Sequence, residues 1–182
     1  MKVRNSSDII ILGGGMVGLS LAHQIIKKNK GLSIKILDKE KRLGLHNSGR
    51  NSGVLHAGIY YEPGSLKAKV CVEGAKKLKK WCLQEKLDVL QCGKVIVTQK
   101  PSQKYELNTL YERAIKNGAK VEFIDKNDLK KHSPLIYNAT EKALWSPNTC
   151  VVEPKSIIKK LSENLIEFGI DIEHNIENYI IN

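Results

Sequence analysis

Residues 8–38 read DIIILGGGMVGLSLAHQIIKKNKGLSIKILD, and the order of residue types in this stretch decides the class of fold. Ile9 to Leu12 form a short aliphatic, mostly β-branched run, as in a buried strand, which stops at Gly13, Gly14 and Gly15. Beyond the glycines, Met16, Val17, Leu19, Ala22, Ile25 and Ile26 recur at three- and four-residue spacing. That spacing predicts an amphipathic helix, broken at Gly31. Ser33 to Leu37 reads as a second strand that delivers an acid, Asp38, at its end. Strand, helix and strand in this order predict a parallel pair joined by a right-handed crossover, the unit of an α/β fold.

Gly13, Gly15 and Gly18 spell G-x-G-x-x-G at the first strand-to-helix turn. In such a turn Gly13 permits the tight bend, Gly15 lets the backbone approach a pyrophosphate, and Gly18 lets the helix lie close to the sheet. The free N–H groups and dipole at the helix start favour the phosphate charge. Asp38, twenty positions after Gly18, is placed to accept hydrogen bonds from an adenosine ribose. A flavin and a nicotinamide dinucleotide both meet this pattern, and Lys39 and Arg42 beside Asp38 would suit a ribose phosphate. The bland alternative is a glycine turn in an α/β protein that binds no phosphate.

The 182 residues suffice for one domain or one and a half and a sizeable core. A formal net charge of +11 suits an acidic substrate or cofactor, a nucleic acid or a membrane surface. Arginine, the residue that forks onto bases and phosphates, is confined to Arg4, Arg42, Arg50 and Arg113. Most of the charge therefore reads as solvated lysine, with no nucleic acid expected. Cys71, Cys82, Cys92 and Cys150 lack C-x-x-C spacing, so no metal site and no redox dithiol is expected, and a reducing cytoplasm fits. Lys2 and Arg4 before an apolar run imitate a secretory signal, but Asp8 and the glycines speak against cleavage. No segment is long enough to span a membrane.

After Asp38 the chain loses periodicity and becomes rich in Gly, Ser, Asn and His. The run HNSGRNSGVLHAGIYYEPGSLKAKVCVEG, residues 46–74, resembles the loop after the second strand of L-2-hydroxyglutarate dehydrogenases and oxidases, within the D-amino-acid-oxidase-like flavoproteins. The resemblance implies FAD as cofactor. It implies that Asn51, Ser52 and Gly53 run against the cofactor and that the segment from His56 to Tyr61 lies near the flavin ring. His56, whose ordinary pKa lies near neutrality, is the candidate base, and His46 a weaker one. Arg50, Tyr60 and Lys67 are candidate substrate contacts. Two departures stand out: Asp38 occupies a position usually held by Glu, and Arg50 one usually held by His.

Ser65 should cap a long basic helix to about Lys86, with Leu66, Val70, Leu78, Trp81 and Cys82 as its apolar stripe. Its lysines would face water or, at the periphery, a membrane. Strands are expected at 93–98 and 121–124 and helices at 104–117 and 125–131, pieces of a mixed sheet over the flavin by resemblance. Two short strands follow in 143–154, then a helix opened by Pro154 with Ile158, Leu161, Leu165 and Phe168 on one face, then a strand at 170–172 beside the first two.

The expected architecture is α/β: a Rossmann-like FAD-binding domain with a parallel sheet, residues 1–62 and 143–182, plus part of a mixed α+β substrate domain, residues 63–142. Complete members of the resembled family continue further, so the chain reads as apparently truncated, with a missing C-terminal half a possible partner. The expected reaction is oxidation of a 2-hydroxy acid dicarboxylate, L-2-hydroxyglutarate, with hydride transfer to flavin and a quinone or oxygen as electron acceptor. The alternatives are an inactive FAD-binding fragment or subunit, and a dehydrogenase of the glycerol-3-phosphate type.

Overall fold

The computed structural model describes residues 6–176; Lys2 and Arg4, the residues of the signal-like reading, lie outside them. In chain order its elements are β1 (Ile9–Leu12), α1 (Met16–Lys28), β2 (Ile34–Leu37), β3 (Val54–Leu55), α2 (Leu66–Gln84), β4 (Val89–Leu90) and β5 (Lys94–Ile96). They continue with α3 (Lys104–Lys116), β6 (Glu122–Ile124), α4 (Lys126–His132), β7 (Ala143–Ser146), β8 (Cys150–Val152), α5 (Pro154–Glu167) and β9 (Asp171–Glu173). The chain divides into two compact units: residues up to Ser52 together with those from Glu153, and Gly53–Val152.

The first unit holds a parallel sheet of order β1-β2-β9, the predicted topology. Because side chains alternate along a strand, Ile11, Ile34 and Ile36 share one face, and all three are buried. That face is covered by α1, which packs against α5. Leu19, Ile157 and Leu165 are almost fully enclosed, each burial contributing about 1.5–3 kcal/mol. On the opposite face Ile10 and Leu12 stand 55% and 45% exposed. Parallel sheets normally have both faces covered. Pro154 opens α5 as predicted, and Glu153 caps it by accepting the Lys155 N–H at 3.0 Å. Phe168, expected on the buried face, is exposed because it is the capping residue beyond the last turn.

The second unit carries two antiparallel three-stranded sheets in place of one mixed sheet, with orders β3-β8-β4 and β5-β7-β6. Pairing of Val54 with Val151 brings 53–55 and 150–152 together. Those short strands therefore belong to this unit, and the division falls at 52/53 and 152/153 rather than at 62/63 and 142/143. Ser65 caps α2, its Oγ accepting the Ala68 N–H at 3.2 Å. The buried side of α2 carries Ala68 and Cys82, while Leu66 and Val70 are 76% and 60% exposed, contrary to the predicted stripe. One core cluster joins Ile59, Ala114, Ala119 and Val121; a second joins Ile124, Leu129 and Ala143.

Candidate functional site

In the first unit the glycine turn follows the geometry its residues require. Gly13 has φ 105°, a conformation that favours glycine, and a Cβ built on it meets no atom within 4 Å, so the space over the turn is open. A Cβ on Gly18 would collide with the Gly13 carbonyl oxygen and press on Ile11, which is why the helix can start so close to the strand. Asp38, 9% exposed, ends β2 and closes the turn: Oδ2 accepts the Gly14 N–H at 2.7 Å and Oδ1 the Glu40 N–H at 2.8 Å.

A cavity of about 370 Å3 opens here, lined by Leu12, Gly13, Gly15, Asp38, His46 and Ser48 among others. The first N–H groups of a helix have no intrahelical acceptor. The first turn of α1 carries no acidic residue that would repel an anion, and the Met16 N–H donates to Ser48 Oγ at 3.0 Å. An open glycine turn at a helix start and a carboxylate lining the same cavity fit the diphosphate and ribose of a dinucleotide. Each carboxylate oxygen of Asp38 keeps acceptor capacity beyond its one backbone bond.

Ser48 escaped the sequence reading, which placed the cofactor contacts at Asn51, Ser52 and Gly53. The signal was present in the small polar H-N-S-G run, but nothing in it marks which hydroxyl reaches the helix. Asn51 has a bracing part, its Nδ2 donating to the carbonyls of Asn47 and Ser48 at 3.0 Å each. Ser52 and Arg50 are exposed in the same unit. Gly53, in the second unit, is buried with φ 65°, and its carbonyl accepts the Val152 N–H at 3.0 Å. His46 pairs with Glu40 at 2.8 Å.

In the second unit the turn carrying His56 and Tyr60 is held from several sides. Ile59 is 2% exposed within its apolar cluster, and Asn117 Nδ2 donates to the carbonyls of Gly58 and Tyr61 at 2.8 Å each. The Cys71 thiol donates to the His56 carbonyl at 3.3 Å. The His56 ring stands edge-on to Tyr60, centroids 6.3 Å apart, and Lys94 Nζ lies 4.5 Å from the Tyr60 ring centroid. His56 is exposed at its surface, yet partial desolvation, and then the charge of Lys94, hold its pKa below its ordinary value. That direction favours the neutral, proton-accepting form of the imidazole. His56 also lines a cavity of about 270 Å3 with Ala57, Lys76, Lys79 and Lys120. Lys67 is exposed on the first turn of α2 and is not among those lining residues.

Lys94 was missed as well. A lysine two positions before Ile96 shares the strand face of an apolar core residue, and that irregularity is the one trace it leaves in the sequence. Among the described residues no group of His, Cys, Asp or Glu could hold a metal ion, and no helix is long and apolar enough to cross a membrane.

A parallel α/β unit with a glycine turn, a strand-end carboxylate and a second antiparallel unit is the arrangement of a dinucleotide-dependent oxidoreductase. Residues 8–178 match the family described as FAD dependent oxidoreductase (DAO), and the chain belongs to that family, whose cofactor is FAD. It is 40% identical over 174 residues to the mitochondrial L-2-hydroxyglutarate dehydrogenase of Pongo abelii, covering 95% of this chain and 41% of that protein. The Dictyostelium discoideum protein of the same name is 38% identical over 173 residues, with 93% and 39% covered. The chain thus spans about two fifths of the length of these curated relatives. Among solved structures, L-alpha-glycerophosphate oxidase from Mycoplasma pneumoniae with FAD bound superposes with a TM-score of 0.83 at 24% identity, covering 93% of this chain and 44% of that one. Glycine oxidase from Geobacillus kaustophilus gives 0.82 at 16% identity, with 93% and 46% covered. These likenesses show the fold.

Proposed function

We propose that the chain carries the FAD-binding part and a portion of the substrate-binding part of an enzyme that oxidises a 2-hydroxy acid, L-2-hydroxyglutarate, to the 2-oxo acid. The observation that carries the chemistry is the placing of His56 against Tyr60, with Lys94 over the same ring, on a fastened turn. The identity of the substrate is supported by the name of relatives about 40% identical over nearly the whole chain.

Gly13 bends the turn, Gly15 lets the backbone approach the diphosphate, Gly18 seats the helix against the strand, Asp38 orients the ribose, and Asn51 braces the loop that brings Ser48 to the helix start. Ser52 and Gly53 extend that cofactor-facing loop. When bound, FAD supplies the acceptor for the hydride leaving C2. His56 takes the hydroxyl proton, which removes the cost of forming a cationic product at that carbon. Tyr60, Arg50 and Lys67 are the further substrate contacts. A quinone or oxygen would be the final electron acceptor. A reducing compartment, the cytoplasm, is supported by four cysteines that are all free thiols, with contact at a membrane periphery through the basic α2.

A second reading is favoured by Ile10 and Leu12, exposed on one face of the parallel sheet: turnover requires another polypeptide to cover that face. The test of both is the visible spectrum of the purified chain with FAD. Bleaching by L-2-hydroxyglutarate supports the first reading, and bleaching that appears only after mixing with a second chain supports the second. Bleaching by glycerol 3-phosphate instead would replace the substrate assignment.

A further inference from the structure

The backbone at Lys94 is held from both sides. This residue opens β5 directly after Gly93, whose φ is 69° and whose position beneath the Trp145 ring leaves no room for a side chain. Trp145 is itself fixed by stacking on His132, ring centroids 3.8 Å apart. Across the sheet Lys94 is in register with Ser146, which is 1% exposed. The backbone from which the ammonium projects is therefore anchored on both sides.

The charge at the end of that side chain lacks an acidic partner. Like many of the exposed lysines, Lys94 meets no carboxylate among the described residues, but it is partly buried and its Nζ lies over the face of Tyr60. An aromatic face attracts a cation and holds it in place without neutralising it. A half-buried ammonium retained in this way is satisfied by an anion from outside. His56, an acceptor for a hydroxyl proton, stands against the same ring, centroids 6.3 Å apart, and near enough for the Lys94 charge to act on it. A ligand that answers both groups has a carboxylate on the carbon next to its hydroxyl.

We propose that Lys94 is the anchor for the C1 carboxylate of a 2-hydroxy acid, with Tyr60 as the platform that fixes its ammonium and His56 facing the C2 hydroxyl. The proposal rests on the substrate reading above and adds the residue that reads the carboxylate. It also makes Lys94 a determinant of specificity, since an alcohol without that carboxylate leaves the ammonium unanswered.

The test uses the whole chain with FAD omitted, so that no turnover occurs, and follows the His56 imidazole by NMR while L-2-hydroxyglutarate, L-lactate or glycerol 3-phosphate is added. Saturable shifts are expected with both 2-hydroxy acids. Lys94→Gln should weaken their binding by roughly tenfold or more, the scale of a lost charge-assisted hydrogen bond. Lys94→Arg, which keeps the charge, should stay within roughly threefold of the wild type on the same scale. Amide spectra of both variants check that the fold is retained. Equal affinity in Lys94→Gln and wild type overturns the anchor and leaves the substrate reading intact. Saturation by glycerol 3-phosphate alone, or by none of the three ligands, overturns the substrate reading and the anchor with it.

Discussion

Asp38 Oδ2 accepts the backbone N–H of Gly14 at 2.7 Å, so the carboxylate that ends the second strand also ties down the loop that ends the first. One buried group thereby shapes the phosphate turn and lines the cavity above it. Asp38→Ala removes acceptors from the Gly14 and Glu40 amides and should destabilise the protein by about 2–4 kcal/mol, the range for buried donors left unpaired. Urea denaturation measures that loss. FAD affinity, read by fluorescence quenching, should fall about tenfold even at temperatures where the variant stays folded.

Gly18→Ala tests the closeness of helix and strand. The added methyl meets the Gly13 carbonyl, backbone that has no rotamer with which to yield. A loss of about 1–3 kcal/mol is expected, as in other overpacked sites, and thermal melting should report it. Gly31→Ala is the control: the space beside that Cβ is open, and little change is expected.

The pH dependence of turnover, in whichever assembly supports it, should carry the signature of His56. Burial first, and the charge of Lys94 second, lower its pKa, so the neutral and proton-accepting form persists to more acidic pH than for a free histidine. Activity should therefore be lost as pH falls through a value below the ordinary histidine pKa. Lys94→Gln removes one of the two causes and should move that acid limb upward. An unmoved limb would separate Lys94 from the titration.

Lys35 on β2 reaches Glu173 at 2.6 Å and Asp171 at 3.0 Å, bridging two strands that are far apart in the chain. Lys35→Met keeps the stem but leaves two carboxylates side by side, so the denaturation midpoint should drop, and less so at high salt. Hydrogen bonds to Glu173, then to Asp171, raise the lysine pKa. A raised lysine contributes its stability below the unfolded-state value and loses it as pH climbs through the folded one. The difference between wild type and variant should therefore hold at neutral pH and vanish in strong alkali.

The first unit could be read from the sequence because its signals are local. Gly13, Gly15, Gly18 and Asp38 sit at spacings set by one turn and one helix, and Pro154 marks the helix that packs back on α1. The second unit resisted the same approach. Val54–Leu55 and Val89–Leu90 are two-residue strands, too short for an alternating pattern, and they are created by pairing with β8 much further along the chain. Of the stripe assigned on spacing alone, Cys82 is buried as expected, while Leu66 and Val70 stand exposed and Ala68 takes the buried place in the first turns. Of the site, His56 and Tyr60 were visible in a family-like run, while Ser48 and Lys94 gain meaning from neighbours that the linear order hides.

The bond from the Val152 amide to the Gly53 carbonyl has a bearing on biosynthesis. It brings the two ends of the 53–152 segment side by side, so this inserted module can close on itself as soon as the ribosome has released it. The parallel sheet must wait, because its third strand, Asp171–Glu173, is translated last of the three. The insert is thus positioned to mature first, reducing a hundred-residue excursion to something near a short loop when the split nucleotide module finally assembles around its glycine turn.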